Sequence, residues 1–301
     1  MNNSTVKLPN FLIFGVQKAG TTSVYNYLNQ HPEVYLSPVK ETNFLEKDWQ
    51  ELANQGHQFN PKNIVTFEQY SKLFEGVTNE IAIGEISPNY LFHHQTSIGQ
   101  IKRYVPDAKL ISILRNPVDR AISDYLMHVR EAKSNTILKE QIQYKADKSF
   151  VILKGYYYKQ VKHYIEEFSH NQVSIFLYDD LRKDSKQFIQ EIYKTIGVNP
   201  NFEADTSQKS QTAQIPKNEG INKLLVKDNP IRSLSATLLK PLLSKEKRQK
   251  FRSFLISMNS KSKEEMDSFD EEKQLLLSLY REDILQLQDL IDRDLSAWLN
   301  L

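Results

Sequence analysis

The 301-residue chain predicts an α/β fold, a central parallel sheet flanked by helices on both faces, with a C-terminal helical elaboration. Short, continuous apolar runs stand at 11–16, 81–85, 109–114 and 173–178, and such runs mark strands buried on both faces. Between several of them, apolar residues recur at helical spacing of three and four. Strand and helix alternate over the first two-thirds of the chain, which is the pattern of a parallel sheet covered on both sides.

The elements follow in order. The run 11–16 is the first strand, and the stretch through Tyr25 and Leu28 is a helix that stops before His31-Pro32. Residues 34–37 read as a second short strand, and 46–80 as polar and irregular with a short helix at 67–74. The strands 81–85 and 109–114 follow, the latter ending at Arg115-Asn116-Pro117. Pro117 suits the first turn of a helix, where its missing N–H costs nothing. Ala121, Ile122, Tyr125, Leu126 and Val129 mark that helix. Tyr158, Val161, Ile165 and Phe168 mark the next, then comes the strand 173–178, then a helix with Phe188, Ile189, Ile192, Tyr193 and Ile196. After Asn199-Pro200, residues 201–221 are polar and 240–263 rich in Lys and Arg. The chain closes on one predicted helix with Leu276, Tyr280, Ile284, Leu287, Ile291, Leu295 and Trp298 on a core-facing stripe. With no internal repeat, the expectation is a single domain over 1–301: an α/β core at 10–200, and a polar loop with C-terminal helices at 201–301.

Composition narrows the function classes. The net charge of +2 gives no indication of nucleic-acid binding. No stretch approaches the roughly 18 apolar residues of a membrane span. The start of the chain leads almost directly into a strand, leaving no room for a secretory signal, so a cytoplasmic location is expected. The sequence has no cysteine, which removes disulfides, thiolate metal sites and a thiol nucleophile.

The segment Gly15-Val16-Gln17-Lys18-Ala19-Gly20-Thr21-Thr22 joins a buried strand to a helix. Such a loop points successive N–H groups at an anion, and the helix dipole adds to them. The spacing of its glycines is that of a nucleotide P-loop, so the sheet is of P-loop type. Lysine, however, has moved inside the loop to Lys18, and Thr21 stands where a triphosphatase needs it. The strand 109–114 then ends in Arg115 where a metal-binding Asp would serve such an enzyme. A cation there suits a ligand whose phosphate charge is balanced by protein, and no metal is expected.

Arg115 opens the run Arg115-Asn116-Pro117-Val118-Asp119-Arg120-Ala121-Ile122-Ser123-Asp124-Tyr125. A guanidinium and the Ser123 hydroxyl would suit a terminal phosphate. Arg115 paired with a carboxylate and Ser123 in solvent is the plainer alternative.

Together the two segments resemble the sulfotransferase family that uses 3′-phosphoadenosine 5′-phosphosulfate, especially its carbohydrate, heparan sulfate-like branch. Lys18-Ala19-Gly20-Thr21-Thr22 is similar to the family's 5′-phosphosulfate loop. Arg115 to Tyr125 fills every named position of its 3′-phosphate motif, Arg-x-Pro-x-x-Arg-x-x-Ser-x-Tyr. The resemblance covers residues 10–200 and implies in-line, metal-independent sulfuryl transfer to a hydroxyl or amine acceptor, most naturally of a carbohydrate. It implies that Lys18 neutralises charge on the departing phosphate and that Lys18, Ala19, Gly20, Thr21 and Thr22 hold the 5′ end. Arg115 and Ser123 would hold the 3′-phosphate, and Lys217 in a late polar loop would close over the nucleotide.

Lys40-Glu41-Thr42-Asn43-Phe44 resembles the carbohydrate-branch segment that supplies a base, which makes Glu41 the first choice. Asn43 departs from the usual His and Leu45 from the second Phe, and Glu41 paired with Lys40 stays open as the plainer reading. Glu85-Ile86-Ser87-Pro88-Asn89-Tyr90 resembles the family's cleft-lining segment, with Ile86 where several relatives have Lys. His93 and His94 are second choices for the base. Lys245, Lys247, Arg248, Lys250 and Arg252 form either a solvated basic face or a patch for an acidic polysaccharide or a peripheral membrane contact. Two other functions compete: a P-loop-type, Mg²⁺-dependent kinase, and a non-catalytic nucleotide- or glycan-binding protein.

Overall fold

The computed structural model describes residues 7–131, 133, 136–169, 171–207 and 269–300. Lys217 and the basic cluster 245–252 lie outside them. The described residues fall into two compact units. The first draws on Met1–Asn116, Tyr156–Ser210 and Glu282–Ala297, and the second on Pro117–Gly155, Gln211–Arg281 and Trp298–Leu301. This division does not follow the compositional change after residue 200. The second unit begins at Pro117, two residues after Arg115.

The first unit holds the whole sheet. Its strands are β1 (Phe11–Gly15), β2 (Val34–Leu36), β3 (Ala82–Ile86), β4 (Lys109–Leu114) and β5 (Val173–Leu177), in the spatial order β2-β3-β1-β4-β5. All pairings are parallel. Of the three inner strands, β1 and β3 are buried along their full length and β4 along all but its first residue, whereas the edge strand β5 is half-buried. Glu85 is the exception inside β3, a carboxylic acid at 1% exposure.

The helices of this unit are α1 (Thr21–Leu28), α2 (Trp49–Asn54), α3 (Phe67–Lys72), α4 (Asn89–Phe92) and α5 (His94–Tyr104). After the interruption come α9 (Tyr157–Glu167), α10 (Tyr178–Lys183) and α11 (Ser185–Ile196), numbered to leave α6–α8 to the second unit. Local chemistry fixes several ends. Thr66 and Gln69 make a reciprocal capping box on α3. Asp184 caps α11 through the N–H groups of Lys186 and Gln187, and Gly197 stops it in the left-handed conformation at φ 82°. The apolar residues Phe188, Ile189, Ile192, Tyr193 and Ile196 are all buried, as their spacing predicts. Asp283 caps α9 from far along the chain, accepting from the N–H groups of Tyr157 and Tyr158 at 2.8 and 3.2 Å. Burial pushes its carboxyl up to about 6, against the opposing pull of those two N–H groups.

The second unit contains α6 (Pro117–Arg130), α7 (Leu138–Tyr144) and α8 (Phe150–Leu153). The last long helix, α12 (Asp270–Ile291), contributes residues to both units. It ends at Ile291, and Asp292 takes the left-handed region at φ 50°. The single helix expected to run through Trp298 therefore stops early. Leu295 and Trp298 are nonetheless buried, Trp298 from a short 3₁₀ turn at Ser296–Leu299.

Arg120 in α6 has no exposed surface. Its Nη1 donates to Asp124 Oδ2 one turn on at 3.1 Å, and its Nη2 donates to the Val151 carbonyl. The second arginine of the Arg115–Tyr125 motif is thus an internal strut, while Ser123 on the same helix is half-buried. Replacing Arg120 by Ala should leave Asp124 buried without its ion-pair partner and cost about 3–5 kcal/mol. The double replacement R120M/D124L should cost clearly less, as urea unfolding midpoints will show; equal losses would refute the strut.

Candidate active site

β1 and β4 are neighbours in the sheet, so the loops at their carboxyl ends lie side by side. The first loop is tightly packed. The Val16 N–H bonds the Ile113 carbonyl at 2.9 Å. A Cβ on Gly15 would meet Ser112 Oγ at 2.5 Å and Leu91 Cδ2 at 2.9 Å. Gly20 is left-handed at φ 77°, and a Cβ there would lie 2.7 Å from Leu181 Cδ2 and 2.9 Å from Tyr178 Cε2. Both glycines are therefore required by contact, and Gly20 by conformation as well.

Lys18 is also left-handed, at φ 71°, a conformation uncommon for a residue with a side chain. The Arg115 Nη1 holds it, donating to the Lys18 carbonyl at 2.9 Å. Arg115 is itself fixed twice over: its guanidinium lies 5.0 Å from the centre of the Tyr178 ring, and its carbonyl accepts from the Tyr157 hydroxyl at 2.9 Å. Arg115 thus has a partner in the 5′ loop in addition to the phosphate the sequence assigns it.

Helix α1 starts immediately after this turn. It has no side-chain cap and no acidic residue in its first turn. Thr21 is buried and Thr22 exposed. The outcome is a helix N-terminus without a side-chain cap, with a lysine in the preceding loop and no acidic residue in the helix's first turn. These residues fit a 5′-phosphosulfate.

On the other side of β1, the loop 40–46 packs on the end of β3. Glu41 is left-handed at φ 61° and Asn43 at φ 52°. Among the bonds that hold its backbone are four from its N–H groups to acceptors in or beside β3 and in the loop itself. The Glu41 N–H donates to the Ile86 carbonyl at 2.9 Å, and the Asn43 N–H to Ser87 Oγ at 3.2 Å. The Phe44 N–H donates to Thr42 Oγ1 at 3.3 Å, and the Leu45 N–H to the Tyr90 hydroxyl at 3.0 Å. Both of those side chains end on Glu85, which accepts from the Thr42 hydroxyl and, at 2.6 Å, from the Tyr90 hydroxyl. Burial pushes the Glu85 carboxyl up to about 7, with the Thr42, Tyr90 and Tyr70 hydroxyls opposing the rise. The Tyr70 and Tyr90 phenols, fully buried beside it, are pushed well above their usual range.

The Glu41 carboxylate pairs with Lys40 Nζ at 2.7 Å, its side chain 38% exposed. The plainer reading of Glu41 is therefore present in the structure. An ion pair this exposed is worth about 0–1 kcal/mol, so it is readily displaced. The two histidines are more deeply engaged. His93 Nε2 lies 3.3 Å from the buried Glu46 carboxylate. His94 Nδ1 and His163 Nδ1 share a hydrogen bond at 2.7 Å. Burial first, then His163, Lys159 and His93, hold His94 down to about 4, so it is neutral near pH 7. Among the described residues, no group of three or more His, Cys, Asp or Glu is placed to hold a metal ion. No described helix is long and apolar enough to cross a membrane.

The structure places Lys18, Gly20, Thr21 and Arg115 in one neighbourhood of the first unit. Ser123 belongs to the second unit. The segment Glu85–Tyr90 is legible in sequence as cleft-lining, yet Glu85, Ser87 and Tyr90 are buried, and a lone Glu in an apolar run gives no sign that hydroxyls 43 residues away and five residues away converge on it.

Because the Glu85 pKa is raised on folding, its proton favours the native state. That contribution is present below the unfolded value near 4.5 and is lost as pH rises through about 7. Wild-type stability should therefore fall relative to Glu85→Gln between pH 5 and 8, by at most roughly 3 kcal/mol. Taking the difference cancels the opposite contribution of His94. Parallel urea titrations across that range test it, and a constant difference would count against the buried acid.

A model of the Sulfotransferase family matches residues 9–203. The chain is 28% identical over 207 residues to the bifunctional heparan sulfate N-deacetylase/N-sulfotransferase 4 of Mus musculus, covering 65% of this chain and 23% of that protein. It is 31% identical over 174 residues to carbohydrate sulfotransferase 15 of Mus musculus, covering 45% of this chain and 30% of that protein. The chain thus spans less than a third of the length of these relatives. The crystal structure of a sulfotransferase from Alicyclobacillus acidocaldarius superposes with a TM-score of 0.67 at 26% identity, over 97% of this chain and 99% of that one. The matched stretch takes in the entire sheet and both loops at the ends of β1 and β4, and on that basis the chain belongs to the sulfotransferase family.

Proposed function

We propose that this chain moves a sulfuryl group from 3′-phosphoadenosine 5′-phosphosulfate to a hydroxyl or amine of a carbohydrate, by in-line transfer without a metal. The observation that carries the reading is the left-handed Lys18, its carbonyl held by Arg115, beside an uncapped helix start with no acidic residue in its first turn. The relatives' names, heparan sulfate and carbohydrate sulfotransferases, support the acceptor class.

The bound donor supplies the sulfuryl group and a phosphate as leaving group. Ala19, Gly20, Thr21 and Thr22 offer N–H groups to the 5′ end, with Thr hydroxyls beside them. Lys18 puts a positive charge where negative charge grows during departure, so its value is greatest in the transition state. Arg115 and Ser123 serve the 3′-phosphate, a pairing that rests on the spacing of the motif, and Lys217 completes the nucleotide site. Glu41 takes the acceptor proton once Lys40 has been displaced from it. A cytoplasmic location, supported by the absence of cysteine, belongs to the same proposal.

Arg115→Ala should weaken binding of 3′-phosphorylated nucleotide by about 1.5–3 kcal/mol. It should also weaken adenosine 5′-phosphosulfate, which lacks the 3′-phosphate, by a smaller amount, because Lys18 loses its tether. Calorimetry with both nucleotides reads this; an unchanged affinity for adenosine 5′-phosphosulfate would show that the tether is idle.

Lys18→Ala should lower kcat about 100- to 1000-fold while changing donor affinity much less. Glu41→Gln should lower transfer about 100- to 10,000-fold near neutral pH, with a defect that shrinks as pH rises and the acceptor ionises unaided. The Lys18 defect should not be rescued by alkali. Single-turnover rates across pH in excess EDTA test both, and wild-type turnover should persist there. Strict Mg²⁺ dependence would return the kinase reading, and wild-type rates for Glu41→Gln would remove the base.

A further inference from the structure

The left-handed backbone at Glu41 and Asn43 places two unfavourable conformations in one short loop, each costing on the order of 1–3 kcal/mol. Something must hold the loop against relaxation. The bonds from its Glu41, Asn43, Phe44 and Leu45 N–H groups divide into two sets. The Glu41 N–H ends on the Ile86 carbonyl and the Asn43 N–H on the Ser87 hydroxyl, both at the end of β3. The Phe44 and Leu45 N–H groups end on two further hydroxyls, those of Thr42 and Tyr90, and hydroxyl oxygens swing freely unless their own protons are directed. Both protons are directed to a single place, the carboxyl of Glu85. The two hydroxyl oxygens also lie 3.2 Å apart, so the carboxyl, Thr42 and Tyr90 form a closed triangle.

We propose that Glu85 is a positioning residue for sulfuryl transfer: its buried carboxyl, through Thr42 and Tyr90, holds loop 40–46 in the backbone shape that presents Glu41 to the acceptor. This rests on Glu41 as the base. Glu85 does not itself touch substrate, because it is enclosed at 1% exposure and its oxygens are already engaged. It acts at a distance through geometry, where a displacement of about 1 Å is enough to cost about 100-fold in rate. Its position in the middle of the sheet gives the loop a rigid anchor, since β3 is paired on both sides, to β1 and to β2.

The experiment is a double-mutant cycle between Glu85 and Glu41 on the full chain. Glu85→Leu removes the acceptor for both hydroxyls at similar volume. It should lower single-turnover transfer about 100-fold while donor affinity by calorimetry stays within about threefold. Hydrogen exchange at the Phe44 and Leu45 amides should accelerate, with that of β1 unchanged. Glu85→Gln, which keeps one carbonyl acceptor, should restore most of the rate. In a Glu41→Gln background, Glu85→Leu should produce no further loss. A further loss of full size there would overturn the proposal while leaving the base assignment intact. A silent Glu41→Gln would instead overturn the base, and the proposal with it. Where Glu85→Leu does not fold, Tyr90→Phe removes one arm of the triangle and the Leu45 acceptor. It should show the same pattern at smaller amplitude, and unchanged transfer with unchanged Leu45 exchange would overturn the proposal equally well.

Discussion

The hydrogen bond from Arg115 to the Lys18 carbonyl is the contact on which the proposed nucleotide end of the site depends. It exists because β1 and β4 are adjacent, parallel and nearly in register, so that the residues just past their ends meet. Parallel strands deliver their loops to one edge of the sheet, which is why open α/β sheets bind ligands there. The bond fixes a lysine in a conformation that a residue with a side chain rarely takes. The Tyr178 ring lies 5.0 Å from the Arg115 guanidinium and in the space a Gly20 Cβ would need. One ring thus limits the loop and the arginine at once. The lysine's placement is therefore a property of three strand ends, those of β1, β4 and β5.

Strain and support are distributed in the same way at the other loop. Among the described residues, the non-glycine positions with positive φ are Lys18, Glu41, Asn43 and Asp292. Three of the four lie in the two loops read here as the site, and Lys18 and Glu41 are the two residues given chemical roles. Such backbone persists only where the surroundings over-determine it. At Lys18 the determinant is a charged donor; at Glu41 and Asn43 it is the β3 edge and a set of hydroxyls directed by one buried acid.

How much of this is visible in sequence depends on distance along the chain. The strands are legible because each is a contiguous apolar run, and the loop at 15–22 because its glycines and lysine act through neighbouring backbone. Arg115 is legible as a cation at a strand end, yet its bond to Lys18 is not, since nothing in either segment names the other. Helix α5 escapes notice because His94–Tyr104 carries few apolar residues and buries Ser97 and His94 on its inner face. The end of α12 is misjudged for a related reason: Leu295 and Trp298 keep the apolar spacing although the backbone has left the helix at Asp292. Arg120 is legible in sequence only as a position of the Arg115–Tyr125 motif and is a buried strut in the structure, paired with Asp124 one turn on.

Two glutamates stand near the proposed acceptor side, and their surroundings separate the roles proposed for them. Glu41 is part-exposed, held only by a neighbouring lysine in a pair worth little, and can exchange that partner for a substrate. Glu85 is sealed in the sheet among hydroxyls, with no cation among the groups that set its ionisation. A base must meet its substrate and release a proton to solvent, which the sealed position forbids. A brace must hold its partners in one arrangement, which the exposed position forbids, because water would compete for every bond. Exchanging the two environments would exchange the two roles; the carboxylic acid is the same in both places, and the fold decides what each one does.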